Sequence, residues 1–90
     1  MKYFAAFLKM QDPGKSEALR PQHLDFLIKT EEQGKIFARG RFSDGTGGLV
    51  IYRVESLEEA RSIAASDPYV TSGARVLELH EWDMKAAPNQ

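Results

Sequence analysis

The chain has 90 residues, no cysteine, and 12 basic against 13 acidic side chains, for a formal net charge of −1. That size makes one domain, and the missing thiols exclude a disulfide scaffold, a thiolate metal site and a cysteine nucleophile. The balanced charge offers no electrostatic footprint for nucleic acid or an anionic membrane, and the apolar N-terminal run, stopped by Lys9, is too short for a membrane span or a signal peptide; a cytoplasmic protein is expected.

Tyr3 to Met10 is aromatic and aliphatic and ends at Gln11-Asp12-Pro13-Gly14, which reads as a strand followed by a turn. From Pro21 to Gln33 the apolar spacing changes. Leu24, Leu27, Ile28 and Glu31 follow the i, i+3, i+4, i+7 pattern, Pro21 suits a first helical position, and Gly34 suits the left-handed residue after a helix end. A first helix is expected there, with Ser16–Arg20 as an irregular extra turn.

Ile36–Phe42 and Leu49–Val54 are two β-rich runs joined by the glycine-rich Asp44–Gly48 connection, the pattern of a hairpin. Ser56-Leu57-Glu58-Glu59 is a capping box opening a second helix from Leu57 to about Ser66, which Pro68 ends. Thr71-Ser72-Gly73 reads as a loop and Val76–Trp82 as the last strand. Residues 1–84 form the domain and 85–90 a frayed tail.

The order is βαββαβ, an α+β, ferredoxin-like arrangement: a four-stranded antiparallel sheet with two helices on one face. Helices cover one face only. Yet Tyr3, Ala5 and Phe7 alternate with Phe4, Ala6 and Leu8, and Leu49 and Ile51 alternate with Val50 and Tyr52, so the strands are apolar on both faces. A half-solvated sheet alternates apolar with polar. The exposed face therefore calls for a cover, and a second copy of the same sheet, a homodimer, is the economical one.

Two histidines stand out. His23 falls on the edge of the first helix's apolar stripe and, in a helix beginning at Pro21, within its first turn, where the dipole favours a neutral imidazole. Asp67 extends the apolar face of the second helix at its C-terminal end, an unfavourable place for a carboxylate. Each has a structural reading beside the functional one: His23 as a partly buried side chain bonded to backbone, Asp67 as an acceptor for backbone N–H groups in the Asp67-Pro68-Tyr69 turn. Arg39 and Arg41 are planar fork donors suited to a carboxylate, or a solvated strand end. Ser43 and the glycine run match no phosphate-loop pattern and lead into a strand, not a helix. His80 alternates with Trp82 and faces either a dimer interior or solvent. Two histidines at this spacing carry no zinc signature.

Arg20-Pro21-x-His23-Leu24, Glu32-Gln33-Gly34-Lys35, Ala38-Arg39-Gly40, Ser56-Leu57-Glu58-Glu59-Ala60 and above all Asp67-Pro68-Tyr69-Val70-x-x-Gly73, with Trp82 near the last strand's end, resemble the YciI-like (YCII-related) family. The resemblance runs from the first strand to about Trp82. It implies a ferredoxin-like dimeric α/β barrel related in fold to muconolactone isomerase and small monooxygenases, with a pocket between sheet and helices. It also implies a His–Asp catalytic pair, His23 and Asp67 here, and one branch of the family is a dehydrochlorinase acting on a chlorinated hydroquinone. Where the family usually has Gly-Pro in the second strand this chain has Gly40-Arg41, and the added arginine favours an anionic ligand.

The expectation is a small-molecule enzyme with no cofactor and no metal. His23 acts as general base and Asp67 orients it, for proton abstraction followed by elimination or isomerisation, while Arg39, Arg41, Ser43 and Tyr69 contact the substrate. The alternative is a non-catalytic ligand-binding or dimerisation module in which the pair is structural. Cofactor-free oxygenase chemistry rests on fold analogy alone.

Overall fold

The computed structural model describes residues 1–88. In chain order its elements are β1 (Lys2–Met10), α1 (Pro13–Glu32), β2 (Ile36–Arg41), β3 (Gly47–Val54), α2 (Leu57–Ala65), α3 (Pro68–Thr71) and β4 (Arg75–Trp82). The strands pair antiparallel in the order β2-β3-β1-β4, so the two central strands are β3 and β1. This is the ferredoxin-like βαββαβ arrangement, with one short additional helix before the last strand.

Strand alternation divides the sheet cleanly. Phe4, Ala6 and Leu8 of β1 pair with Tyr52, Val50 and Gly48 of β3, and all are buried beneath the helices. Leu27 of α1, Ala60 and Ala64 of α2, and Tyr69 of α3 close that core from above. Burying side chains such as Phe4 contributes about 1.5–3 kcal/mol each. The opposite face carries Tyr3, Ala5, Phe7, Leu49 and Ile51, and no helix covers it. There Tyr3 meets Phe37 and Phe7 meets Phe42 edge to face, with ring centroids 5.1 and 5.6 Å apart.

The first helix is longer than expected. Asp12 is its N-cap, accepting the Lys15 N–H on Oδ1 at 3.1 Å, and Pro13 stands in the first turn, where a missing N–H costs nothing. Asp12-Pro13-Gly14 is therefore a helix start, Ser16–Arg20 is regular helix, and Pro21 lies in the interior. His23 accordingly sits near the middle of a 20-residue helix, away from the dipole's positive end that a start at Pro21 would have given it. At the other end Gly34 adopts φ 74°, with Lys35 N–H on Thr30 O and Gly34 N–H on Glu31 O, a Schellman closure.

Thr46 donates its N–H and hydroxyl to Asp44 Oδ1, tightening the hairpin loop, and Gly47 and Gly48 belong to β3 rather than to that loop. Ser56 caps α2 through Glu59 N–H, while Glu59 accepts from Glu55 N–H. Residues 83–88 have neither helix nor strand; the last two residues of the expected 85–90 tail lie outside the described residues. Among the described residues no helix is long and apolar enough to cross a membrane.

Candidate functional site

A cavity of about 190 Å³ opens between the helix face of the sheet and α1. Leu8, Gly48 and Val50 line it from the strands, Leu24 and Leu27 from α1, and His23 and Tyr69 complete the wall. Gly48 keeps its floor open: a Cβ there would lie 3.0 Å from Gly40 O and 3.8 Å from Arg75 Nη1.

His23 and Asp67 meet. His23 Nδ1 lies 2.8 Å from Asp67 Oδ1, with His23 8% exposed and Asp67 fully buried. The same carboxylate oxygen accepts the Tyr69 N–H at 2.9 Å, because Asp67 is the N-cap of α3. This corrects the expectation that the carboxylate merely opposes the end of α2: Ser66 caps α2, and Asp67 stands at the start of the next helix. Both readings of Asp67 thus coincide in one atom, Oδ1. Its second oxygen, Oδ2, is buried without a hydrogen-bond partner. An unpartnered buried carboxylate oxygen is costly and rare.

The His23 ring stacks on Tyr69 at a centroid distance of 3.8 Å and 13° between planes. Arg75 holds its guanidinium 4.4 Å from the centre of the same tyrosine ring. Imidazole and guanidinium thus both lie against the Tyr69 ring. With Nδ1 engaged by Asp67, Nε2 is the ring nitrogen left for a ligand. The carboxylate also acts on Tyr52 beneath the helices, whose hydroxyl is pushed well above the usual phenol range, chiefly by burial and further by the charge of Asp67.

Four arginines surround the opening. Arg39 is committed: its Nε and Nη2 donate to Glu31 Oε2 and Oε1 at 2.9 and 3.2 Å, joining β2 to α1. That bidentate bond holds the Glu31 carboxyl below its ordinary range and keeps Arg39 charged. Arg41, two residues along β2, lines the cavity, and so do Arg20 of α1 and Arg75 of β4. Arg75 is fixed by donating Nε to Ser16 Oγ at 3.1 Å and Nη1 to Leu8 O at 3.3 Å.

Of the residues singled out in the sequence, His23, Tyr69, Arg39 and Arg41 therefore line this cavity, and Asp67 stands buried behind His23. Ser43 does not: it lies exposed in the hairpin loop, outside the lining. His80 is exposed on the sheet's uncovered face, 3.4 Å from Glu78. Arg20 and Arg75 were not singled out. Arg20 stands one turn before His23, a neighbour visible in the sequence once α1 is continuous through Pro21; Arg75 reaches the site only through the long-range pairing of β4 with β1, which leaves no local signal. Among the described residues, no group of three or more His, Cys, Asp or Glu side chains is arranged to hold a metal ion.

Comparison with known proteins gives three findings. The YCII-related domain family matches residues 1–83. An uncharacterised protein of Bacillus subtilis (strain 168), YjpA, is 40% identical over 63 residues, 70% of this chain and 74% of that protein. The fold is similar to that of a 5-chloro-2-hydroxyhydroquinone dehydrochlorinase from Burkholderia phenoliruptrix in complex with 2,5-dihydroxybenzoquinone, at a TM-score of 0.69 and 22% identity, covering 92% of this chain and 95% of that one.

Proposed function

Since the chain belongs to the YCII-related domain family, we propose that it is a cytoplasmic, cofactor-independent enzyme for a small anionic molecule, abstracting a proton and completing an elimination or an isomerisation. The observation that carries this reading is the buried His23–Asp67 contact at a cavity wall. With Asp67 ionised, the His23 proton sits on Nδ1 and donates to Oδ1, leaving the Nε2 lone pair as the base. Nε2 takes a proton from an acidic C–H of the ligand, and Asp67 stabilises the imidazolium that forms. The electron pair left on carbon either expels a leaving group from the neighbouring carbon or, as an enolate, is reprotonated by the imidazolium at a second carbon. In the first case the proton and the leaving group depart together as an acid. Base catalysis of this kind contributes about 10²–10⁴ in rate. The dehydrochlorinase of similar fold is named for such an elimination, which supports the reaction class.

The homodimer belongs to the same proposal. Phe37 and Trp82 remain 52% and 46% exposed on the uncovered sheet face beside Phe42 and Val76, and an exposed apolar surface of that extent marks an interface. A second copy of the face is self-complementary about a two-fold axis.

One observation favours the non-catalytic reading: Asp67 Oδ1 caps α3, a sufficient structural role for it. The test is turnover. Incubation with 5-chloro-2-hydroxyhydroquinone, whose acidic hydrogens are phenolic O–H, and with keto acids bearing acidic C–H groups, read as chloride release and as deuterium uptake from D₂O respectively, should show catalysis that His23→Gln lowers at least a hundredfold. Catalysis equal in wild type and His23→Gln would overturn the assignment of the base, and ligand binding without turnover across the panel would leave the binding module.

A further inference from the structure

We infer that the cavity takes its ligand as a planar organic anion, a carboxylate or a ring enolate, gripped by Arg20 and Arg41 over the Tyr69–Arg75 stack, with Arg39 taking no part. This deepens the proposed function and rests on the same cavity.

Among the described residues, one of the cavity's four guanidinium groups is ion-paired to a carboxylate. Glu31 neutralises Arg39 through two hydrogen bonds. Among the described residues Arg20 and Arg41 have no ion pair and no side-chain hydrogen bond, and Arg75 bonds to neutral oxygens, Ser16 Oγ and Leu8 O. Asp67 lies at the same site, but its Oδ1 is engaged by His23 and Tyr69. Three guanidinium groups, none of them ion-paired, thus border one small space against the single charge of Asp67, which leaves an excess of positive charge that an anion would offset.

Shape narrows the anion. At ~30 Å³ per water, the cavity holds about six waters, the size of one substituted ring or a short acid. Of its lining, Leu8, Leu27 and Val50 are buried and Leu24 half-buried, whereas Arg20 and Arg41 are exposed, so charge belongs at the arginines and a hydrocarbon or ring body against the buried apolar side chains. Guanidinium forks grip two oxygens of a carboxylate or a phosphate at once, and the apolar side chains beside them favour the anion that carries a hydrocarbon or ring body. The adjoining hairpin loop offers no cradle for a tetrahedral phosphate: Thr46 N–H is given to Asp44 and Gly45 N–H to Phe42 O. An anionic oxygen at the rim also suits the chemistry, since an enolate formed by proton loss gathers its charge on oxygen.

The experiment titrates the intact protein with benzoate, benzamide and inorganic phosphate, by calorimetry and by the ring signals of His23 and Tyr69 in NMR spectra. Benzoate should bind and perturb both rings, while its neutral isostere benzamide and phosphate bind at least tenfold more weakly. Arg41→Gln and Arg20→Gln should each weaken benzoate about tenfold to a hundredfold, and Arg39→Gln should change it less than threefold. Equal binding of benzoate and benzamide, no benzoate binding, or insensitivity to both Arg20→Gln and Arg41→Gln overturns the anion grip. Phosphate binding as tight as benzoate overturns its planar selectivity. His23→Gln separates this inference from the catalytic one: benzoate binding retained with turnover absent in wild type leaves the grip standing and removes the enzyme. Turnover abolished by His23→Gln but unaffected by the arginine variants does the reverse.

Discussion

Replacing Asp67 by alanine and by asparagine should give widely different stabilities, because one oxygen atom holds two elements. Asp67 Oδ1 accepts from both His23 and the Tyr69 backbone N–H inside a fully buried environment. Alanine removes the acceptor and strands two buried donors, each costing about 1–3 kcal/mol; it also removes a carboxylate whose Oδ2 has no partner, which offsets part of that loss. The expected net loss is about 3 kcal/mol, or roughly 12–24 °C in melting temperature for a domain of this size. Asparagine keeps a carbonyl oxygen for both donors and replaces a desolvated charge with a neutral group. Its bonds are weaker than charge-assisted ones, yet its stability should stay within about 1 kcal/mol of wild type. Urea and thermal denaturation of the three proteins measure this directly. Asp67→Asn as unstable as Asp67→Ala would refute the acceptor argument and show that the charge itself holds the site; Asp67→Ala melting with wild type would show that the contact stabilises nothing.

Gly47→Ala should abolish folding, since φ is 141° and the added Cβ would sit 2.2 Å from Leu8 O in the neighbouring strand; circular dichroism of the purified variant decides it. Pro21→Ala supplies the N–H missing from the interior of α1 and should raise stability by about 1–2 kcal/mol, read by denaturation; an unchanged or lower stability would show that the helix is bent to suit the ring. Tyr52 ionises less readily folded than unfolded, so its contribution is fully present below the phenol's unfolded value of about 10 and is lost as pH rises above it. The stability of wild type should therefore fall relative to Tyr52→Phe above that pH, and parallel curves would contradict the burial argument. Phe37→Glu with Trp82→Glu should convert a dimer into a folded species of about 10 kDa in sedimentation at micromolar concentration, whereas a wild type already of that mass would remove the dimer.

The elements were legible wherever local chemistry decides them. Alternation in Tyr3–Met10, the capping box at Ser56 and the left-handed Gly34 predict the strands, the start of α2 and the end of α1 where they stand. The start of α1 differs from the expected one because Pro21 and Asp12-Pro13-Gly14 carry two meanings. Proline opens a helix or lies within one, and Asp-Pro-Gly makes a turn or an N-cap; the structure takes the second option at both, and Ser16 in the added turns bonds to Ala74 O and accepts from Arg75 across the fold. The same error placed His23 in a first turn that does not exist. α3 was missed because four residues are too few to show a period, although Asp-Pro is also a helix-start signal. At the site, His23 and Asp67 were found through a motif, and the structure brings them together. Arg75 could not be found, since its position depends on strand pairing between residues more than sixty apart in the chain.

In the proposed mechanism Asp67 holds the His23 proton on Nδ1 and leaves Nε2 as a base at the cavity. Long-range ¹H–¹⁵N correlation of the imidazole at a pH where the ring is neutral reads this tautomer directly. Wild type should show a protonated Nδ1 and an unprotonated Nε2. A ring protonated on Nε2, with Nδ1 bare toward Asp67, would contradict it.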